Sequence, residues 1–259
     1  MAVEAARAAG LLLRDALTGE RRVSFKGTPT NLVTEMDARA EQLVSDRLRA
    51  AFPDDALLGE EGGARAGTSG RRWIVDPLDG TTNYAHGMPV FGVSIALETG
   101  GRPILGVIYD PNRDELFVAE RGRGAWLGER RLSVSSTPTL NESLLATGFP
   151  YNVRETPDNN LREFAAFSLS AQGVRRMGSA VLYLAYVAAG RIDGYWELRL
   201  GPWDVAAGML LVEEAGGRVT DLSGGPLDLD APAIVASNGR IHDEMLAVIA
   251  GIRSSRSAT

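Results

Sequence analysis

The chain contains no cysteine, which rules out a disulfide framework, thiolate zinc sites and a cysteine nucleophile. Histidine is nearly as scarce, with His86 and His242 the only two. Histidine-rich metal centres are excluded by counting, and a Ser/His/Asp triad would have to draw on this pair. His242 falls in a helical C-terminal stretch, where a surface position is expected. His86 sits beside an Asp/Gly-rich segment and is a candidate to line a pocket. Long apolar runs are missing too: none approaches the roughly 20 residues a spanning helix needs. Glu4, Arg7, Arg14 and Asp15 interrupt the opening MAVEAARAAGLLLRDAL, which reads as a surface helix and not as a signal peptide. There is no G-x-x-x-x-G-K-[ST] loop and no G-x-S-x-G elbow, and RGRGAWLG, whose glycines miss the dinucleotide-binding spacing, is expected to lie between strands. The formal net charge of −6 argues against nucleic acid as a partner. These absences lead us to expect a cytoplasmic protein with no membrane partner.

What is present is an ordinary globular composition. The 259 residues are 44% hydrophobic and 23% charged, enough for one large domain or two compact ones. Apolar spacing predicts helices over residues 2–17 and from Glu35 to Ala51, the second ended by Pro53. RRVSF and NLVTE are expected to form a hairpin across Lys26–Thr30, with Gly27 and Pro29 as turn residues. ALLGEEGG reads as a short strand running into GGARAGTSGR, expected to be a mobile loop. RRWIVD, FGVSIALE, RPILGVIYD and DELFVAE form a meander signature, hence an antiparallel or mixed sheet. After a polar, turn-rich stretch at 133–142, the short strands LLATG, GVRRM, DGYWEL, GRVTD and AIVASN alternate with helical stretches. Those helices fall near 158–170, 179–189, 202–215 and 239–251, an α/β pattern.

Oxygen chemistry is what the sequence offers. In WIVDPLDGTTNYAHG, Asp76 closes a strand and Pro77 keeps it extended. Asp79 can fold back through a turn to stand near Asp76, leaving the Leu78 carbonyl exposed between them. Gly80 frees the backbone, and Thr81, Thr82 and Asn83 are good N-cap residues for a helix whose first N–H groups would suit a phosphate. An ordinary Asp/Gly turn explains the same residues. LLGEEGG contributes Glu60 and Glu61, which in isolation read as solvated charges. In GPWDVAAGMLLVEEAGG, Pro202 and Asp204 suit a helix's first turn. Val205, Met209 and Val212 share a face, and Gly208 suggests close packing. Converging carboxylates would repel by about 4 kcal/mol per pair at 4 Å, which a divalent cation would relieve. All-oxygen ligands favour magnesium or manganese.

Taken together, these segments resemble the inositol monophosphatase family of magnesium-dependent, lithium-sensitive phosphatases. WIVDPLDGTTNYAHGMPVFGVSIAL and WDVAAGMLLVEEAGG look like its two signatures, and LLGEEG and NLVTEMD like its shorter motifs. The resemblance covers essentially the whole chain. It implies a layered α-β-α-β-α sandwich of the inositol monophosphatase and fructose-1,6-bisphosphatase type. Residues 1–137 would be an α+β domain holding most metal ligands, and residues 138–259 an α/β domain holding Asp204 and the substrate-recognition residues. The implied activity is Mg2+-dependent hydrolysis of myo-inositol 1-phosphate by a metal-activated water, with two or three ions per site and Mn2+ as a substitute. Glu60, Asp76 and the Leu78 carbonyl would surround one ion, and Asp76, Asp79 and Asp204 a second. Gly80 and Thr81 would hold the phosphate. Glu60 and Thr81 would act on the water, with Asp37 holding the Thr81 hydroxyl. Asp79, Asp204, Ala180 and Glu197 would contact the substrate, a small phosphorylated polyol or sugar, in a homodimer. Fructose 1,6-bisphosphate and histidinol phosphate are alternative substrates on the same mechanism, and binding to the transcription machinery is an alternative of another class.

Overall fold

The computed structural model describes residues 1–19, 23–26 and 30–256. In chain order, α1 (Ala2–Ala16) is followed by the paired strands β1 (Val23–Phe25) and β2 (Leu32–Thr34) and by α2 (Glu35–Ala51). The hairpin is present, and its expected turn residues Gly27 and Pro29 lie outside the described residues. Then come β3 (Ala56–Gly59), β4 (Gly63–Arg65), β5 (Arg71–Asp79), the short α3 (Thr81–Ala85), β6 (Gly92–Thr99), β7 (Arg102–Asp110), β8 (Glu115–Glu120), β9 (Gly124–Leu127) and β10 (Arg130–Arg131). The remainder is β11 (Leu144–Thr147), α4 (Leu161–Ser170), β12 (Gly173–Arg175), α5 (Ala180–Ala188), β13 (Gly194–Glu197), α6 (Pro202–Glu214), β14 (Arg218–Thr220), β15 (Ile234–Ser237) and α7 (His242–Arg256).

An eight-stranded mixed sheet runs β10-β9-β8-β7-β6-β5-β3-β4, and a five-stranded one runs β12-β11-β13-β15-β14. The period of two in the large sheet sorts its side chains into two cores. Trp73, Val75, Val93, Ile95, Val107 and Tyr109 pack with α1 and α2. Ile74, Ala96 and Ile108 point the other way, into a core formed by α5, α6 and the inner face of the small sheet. On the outer face of that sheet, Trp196 and Val235 pack with Phe167 of α4 and Met245 of α7. The result is the expected five-layer α-β-α-β-α arrangement.

Helices α5 and α6 are the middle layer, which explains their composition. All nine residues of α5 are buried, as a helix flanked on every side requires. The apolar stripe expected on α6 is too narrow a description, because Ala206, Ala207, Leu210 and Leu211 are buried as well as Val205 and Val212. Gly208 does mark a close approach: a Cβ there would lie 2.4 Å from Leu184 Cβ.

Three other expectations are corrected. The segment after Glu61 is not simply a mobile loop, since Gly63–Arg65 forms β4 and pairs antiparallel with β3. RGRGAWLG contains a strand, β9, and its loop amides are already satisfied: Gly122 and Gly124 each donate to the Glu214 carboxylate at 2.8 Å. His242 is fully buried, with Nε2 and Nδ1 each 2.9 Å from a hydroxyl oxygen, of Thr220 and Ser237 respectively. Burial, helped by the Arg218 charge, holds its imidazole down to about 4. The hydroxyl partners lie on β14 and β15, so their relation to His242 is tertiary.

Candidate active site

Parity along β5 aims Asp76 at the middle layer, since it lies two residues after Ile74. The strand does not stop at Asp76. It continues to Asp79 across an irregularity in its pairing with β6, so a bulged strand, and not a turn, brings the second carboxylate round. Pro77 has no N–H to give, while Leu78 N donates to Asp76 Oδ1 at 3.0 Å. Asp79 Oδ2 accepts from Val181 N at 2.9 Å and from the Ser179 hydroxyl, which ties it to the start of α5. Ser179 is a partner the sequence reading missed, and its N-cap position before an apolar helix was the available signal.

Gly80 itself caps α3, displacing the expected Thr81–Asn83 caps. Its φ is +96°, and a Cβ there would lie 2.9 Å from the Val90 carbonyl oxygen. Thr81 is buried, and its Oγ1 lies 3.0 Å from both Asp37 Oδ1 and the Leu78 carbonyl oxygen. A hydroxyl has one proton, and the carboxylate is the stronger acceptor. Asp37 is fixed in turn by its place in a capping box at the start of α2. Its Oδ2 accepts from Thr34 N at 2.8 Å and from Thr34 Oγ1 at 2.6 Å. Burial raises its carboxyl against those hydrogen bonds.

Asp204 arrives from the N-terminus of α6, where Gly201 N donates to its Oδ2 at 2.6 Å. Carboxylate oxygens of Asp76, Asp79 and Asp204 lie within 4.8 Å of one another. Glu60, just after β3, pairs with Lys26, whose Nζ is 3.2 Å from Glu60 Oε1 and also bonds Glu61. The glutamates are therefore partly buried and paired, not solvated, and Lys26 is a second participant the sequence reading passed over. Burial pushes Glu60 up to about 7 although Lys26 pulls it the other way. Asp79 rises to about 6 because burial outweighs its hydrogen bonds. Asp76 is driven well up by burial, then by Glu60, Asp79 and Asp204. Asp204 is likewise raised by burial, then by Asp79 and Glu60.

Two unit charges 4.8 Å apart repel by about 3.5 kcal/mol at an effective dielectric of about 20. Among the described residues, no lysine or arginine forms an ion pair with Asp76, Asp79 or Asp204. A hard divalent cation fits this all-oxygen, cation-poor donor set.

On the opposite wall, Glu197 ends β13 on the same face as Tyr195, whose hydroxyl donates to Glu197 Oε2 at 2.7 Å. Burial lifts Glu197 up to about 8 despite that bond. The carboxylate fits only because residue 148 is glycine: a Cβ there would lie 2.2 Å from Glu197 Oε1. Of the ten residues singled out from the sequence, nine line one cavity of about 720 Å3, and Asp37 stands behind Thr81. His86 is exposed and is not part of that lining. Tyr151, Arg176 and Arg199 complete the rim without having been expected.

A profile of the inositol monophosphatase family matches residues 1–254. The chain is 45% identical over 251 residues to an inositol-1-monophosphatase of Synechocystis sp., covering 96% of this chain and 88% of the relative. It is 45% identical over 255 residues to the Nus factor SuhB of Pseudomonas aeruginosa, covering 96% and 94%. Among solved structures, the inositol monophosphatase of Anabaena (Nostoc) sp. superposes with a TM-score of 0.88 at 47% identity, covering 96% of this chain and 94% of that one. The chain belongs to the inositol monophosphatase family.

Proposed function

We propose that this protein is a Mg2+-dependent phosphomonoesterase acting on myo-inositol 1-phosphate. The observation that carries the reading is the convergence of Asp76, Asp79 and Asp204 within 4.8 Å, on the wall of a cavity that also holds Glu60, Gly80, Thr81 and Glu197. Glu60, Asp76 and the Leu78 carbonyl would hold one ion; Asp76, Asp79 and Asp204 would hold another, and Mn2+ would substitute. When bound, the cations supply Lewis-acid charge for the phosphoryl oxygens and the attacking water. The N–H groups of Gly80 and Thr81 receive the phosphate. Thr81 donates its hydroxyl hydrogen bond to Asp37 and turns its lone pairs to the water, and Glu60 accepts a proton from that water as it attacks phosphorus. The P–O ester bond breaks, and the departing inositol oxygen takes up a proton returned from Glu60 through water, so that inositol leaves as an alcohol. Ala180 abuts the ring, and Glu197 accepts hydrogen bonds from its hydroxyls. The working form is a lithium-sensitive homodimer in the cytoplasm; among the described residues no helix is long and apolar enough to cross a membrane.

Asp79→Asn tests the site: turnover of myo-inositol 1-phosphate with Mg2+ should vanish while the fold persists, and near-normal activity would sink the assignment. Arg176 and Arg199 on the cavity rim favour, as a second reading, a substrate with another anionic group such as fructose 1,6-bisphosphate. Comparing kcat/KM across phosphate esters separates the two. The similarity to proteins named Nus factor SuhB supports a regulatory role beside catalysis, testable by capture of RNA polymerase on the Asp79→Asn protein.

A further inference from the structure

Two of the three glycines in the LLGEEGG segment, Gly59 and Gly62, pack closely in a way that the proposed chemistry does not use. Both face the carboxylate of Glu41. A Cβ on Gly59 would lie 2.5–2.6 Å from the Glu41 carboxyl atoms, and one on Gly62 would lie 2.5 Å from Glu41 Oε1. Glu41 Oε2 accepts from Glu61 N at 2.8 Å and Oε1 accepts from Gly62 N at 2.6 Å. Glu41 is buried, one helical turn beyond Asp37 on α2. The peptide preceding Glu60 is held by a separate bond, Glu60 N to the Val75 carbonyl at 3.2 Å, next to Asp76. On its other side the turn borders a cavity of about 320 Å3 lined by Glu41, Glu61 and Gly62.

We infer that Glu41 is a positioning residue for Glu60: its carboxylate fixes the turn that presents Glu60 to the cation. The inference rests on the assignment of Glu60 as a cation ligand made above. The two peptides flanking Glu60 are bonded to different elements, β5 in front and α2 behind, so the direction of its side chain is set from both sides. Helix α2 therefore carries two supports at i and i+4 on one face: Asp37 for the Thr81 hydroxyl and Glu41 for the Glu60 turn. A carboxylate can accept both N–H groups, whereas a glutamine oxygen accepts but its amide nitrogen opposes the second donor. Leaving a buried N–H unmatched releases the turn.

The test is a titration with Mn2+, followed by the electron paramagnetic resonance signal of the free ion, on the full chain. Outer partners of metal ligands typically govern affinity by 10–100-fold, so Glu41→Gln should weaken Mn2+ binding by about tenfold or more. The Mg2+ concentration that half-saturates turnover should rise in parallel. Gly62→Ala approaches the same carboxylate from the turn side and should have the same effect. A residue of merely structural importance would lower the melting temperature and leave the Mn2+ affinity of the folded protein unchanged. Wild-type affinity in folded Glu41→Gln overturns the inference. If that variant does not fold, wild-type affinity in Gly62→Ala does so instead. Asp79→Asn run alongside separates the readings: unchanged Mn2+ binding there refutes the cation site itself, whereas lost binding there with normal binding in Glu41→Gln refutes only the role of Glu41.

Discussion

Replacing Asp76 by asparagine should stabilise the cation-free protein and abolish its response to Mg2+. Asp76 has carboxylate neighbours in Asp79 and Asp204 within 4.8 Å, each repelling it by about 3.5 kcal/mol when both partners are ionised, at a dielectric near 20. Asparagine keeps the shape, its oxygen can still accept from Leu78 N, and its amide donates towards the remaining carboxylates. Because the cluster is partly protonated near neutrality, the net relief is set at about 3 kcal/mol, which at about 2–4 °C per kcal/mol is about 6–12 °C. Mg2+ at about a thousand times its Kd should add about 4.1 kcal/mol to the wild type and little to the variant, so the ranking reverses. Scanning calorimetry at pH 8, with EDTA or with Mg2+, reads both effects. The pH matters, because Glu60 is raised to about 7 and Asp79 to about 6. Acids raised in the folded state hold extra protons there, so the cation-free wild type should lose stability as pH climbs from about 4 through 7. If Asp76→Asn melts below the wild type in EDTA, the mutual repulsion is not what the geometry implies.

Two more expectations concern buried groups outside the metal-ligand set. His242, held down to about 4 from an ordinary 6.5, contributes its full stability above about 6.5 and loses it as pH falls through 4, about 3 kcal/mol in all. In urea titrations the stability gap between the wild type and His242→Asn should narrow over that range, and a constant gap would contradict the buried neutral imidazole. Gly148→Ala would press a Cβ against the Glu197 carboxylate, 2.2 Å from Oε1. It should raise KM for myo-inositol 1-phosphate about tenfold or more, a loss of one or two hydrogen bonds of about 1 kcal/mol each, while p-nitrophenyl phosphate, lacking ring hydroxyls, is much less affected. Equal effects on both esters would count against hydroxyl recognition at Glu197.

Local signals explain why several elements could be read in advance. Helix α2 begins at Glu35 and ends at Ala51 as expected, since a Thr/Asp capping pair and Pro53 mark its ends within the sequence itself. The strands of the meander carry their own punctuation and alternation. Strands β4 and β9 were not legible: GAR and GAWL have no apolar alternation, and they are strands because β3 and β8 offer them a partner edge. His242 was misjudged for a related reason. A histidine opening an amphipathic helix reads as solvent-facing, and only the hydroxyls of Thr220 and Ser237 make its burial affordable.

The candidate site divides along the same line. Sequence alone determined which carboxylates were available, that their chemistry was hard-oxygen chemistry, and that Pro202 would open a helix beside them, because those properties belong to single residues and short spacings. Tertiary structure decided that Asp204 lies within 4.8 Å of Asp76 and Asp79, that Ser179 anchors Asp79, and that Glu41 underlies the Glu60 turn. Each of these joins segments 20 to 128 residues apart in the chain. Spacing along a polymer does not encode such meetings; the packing of α5 and α6 between two sheets does.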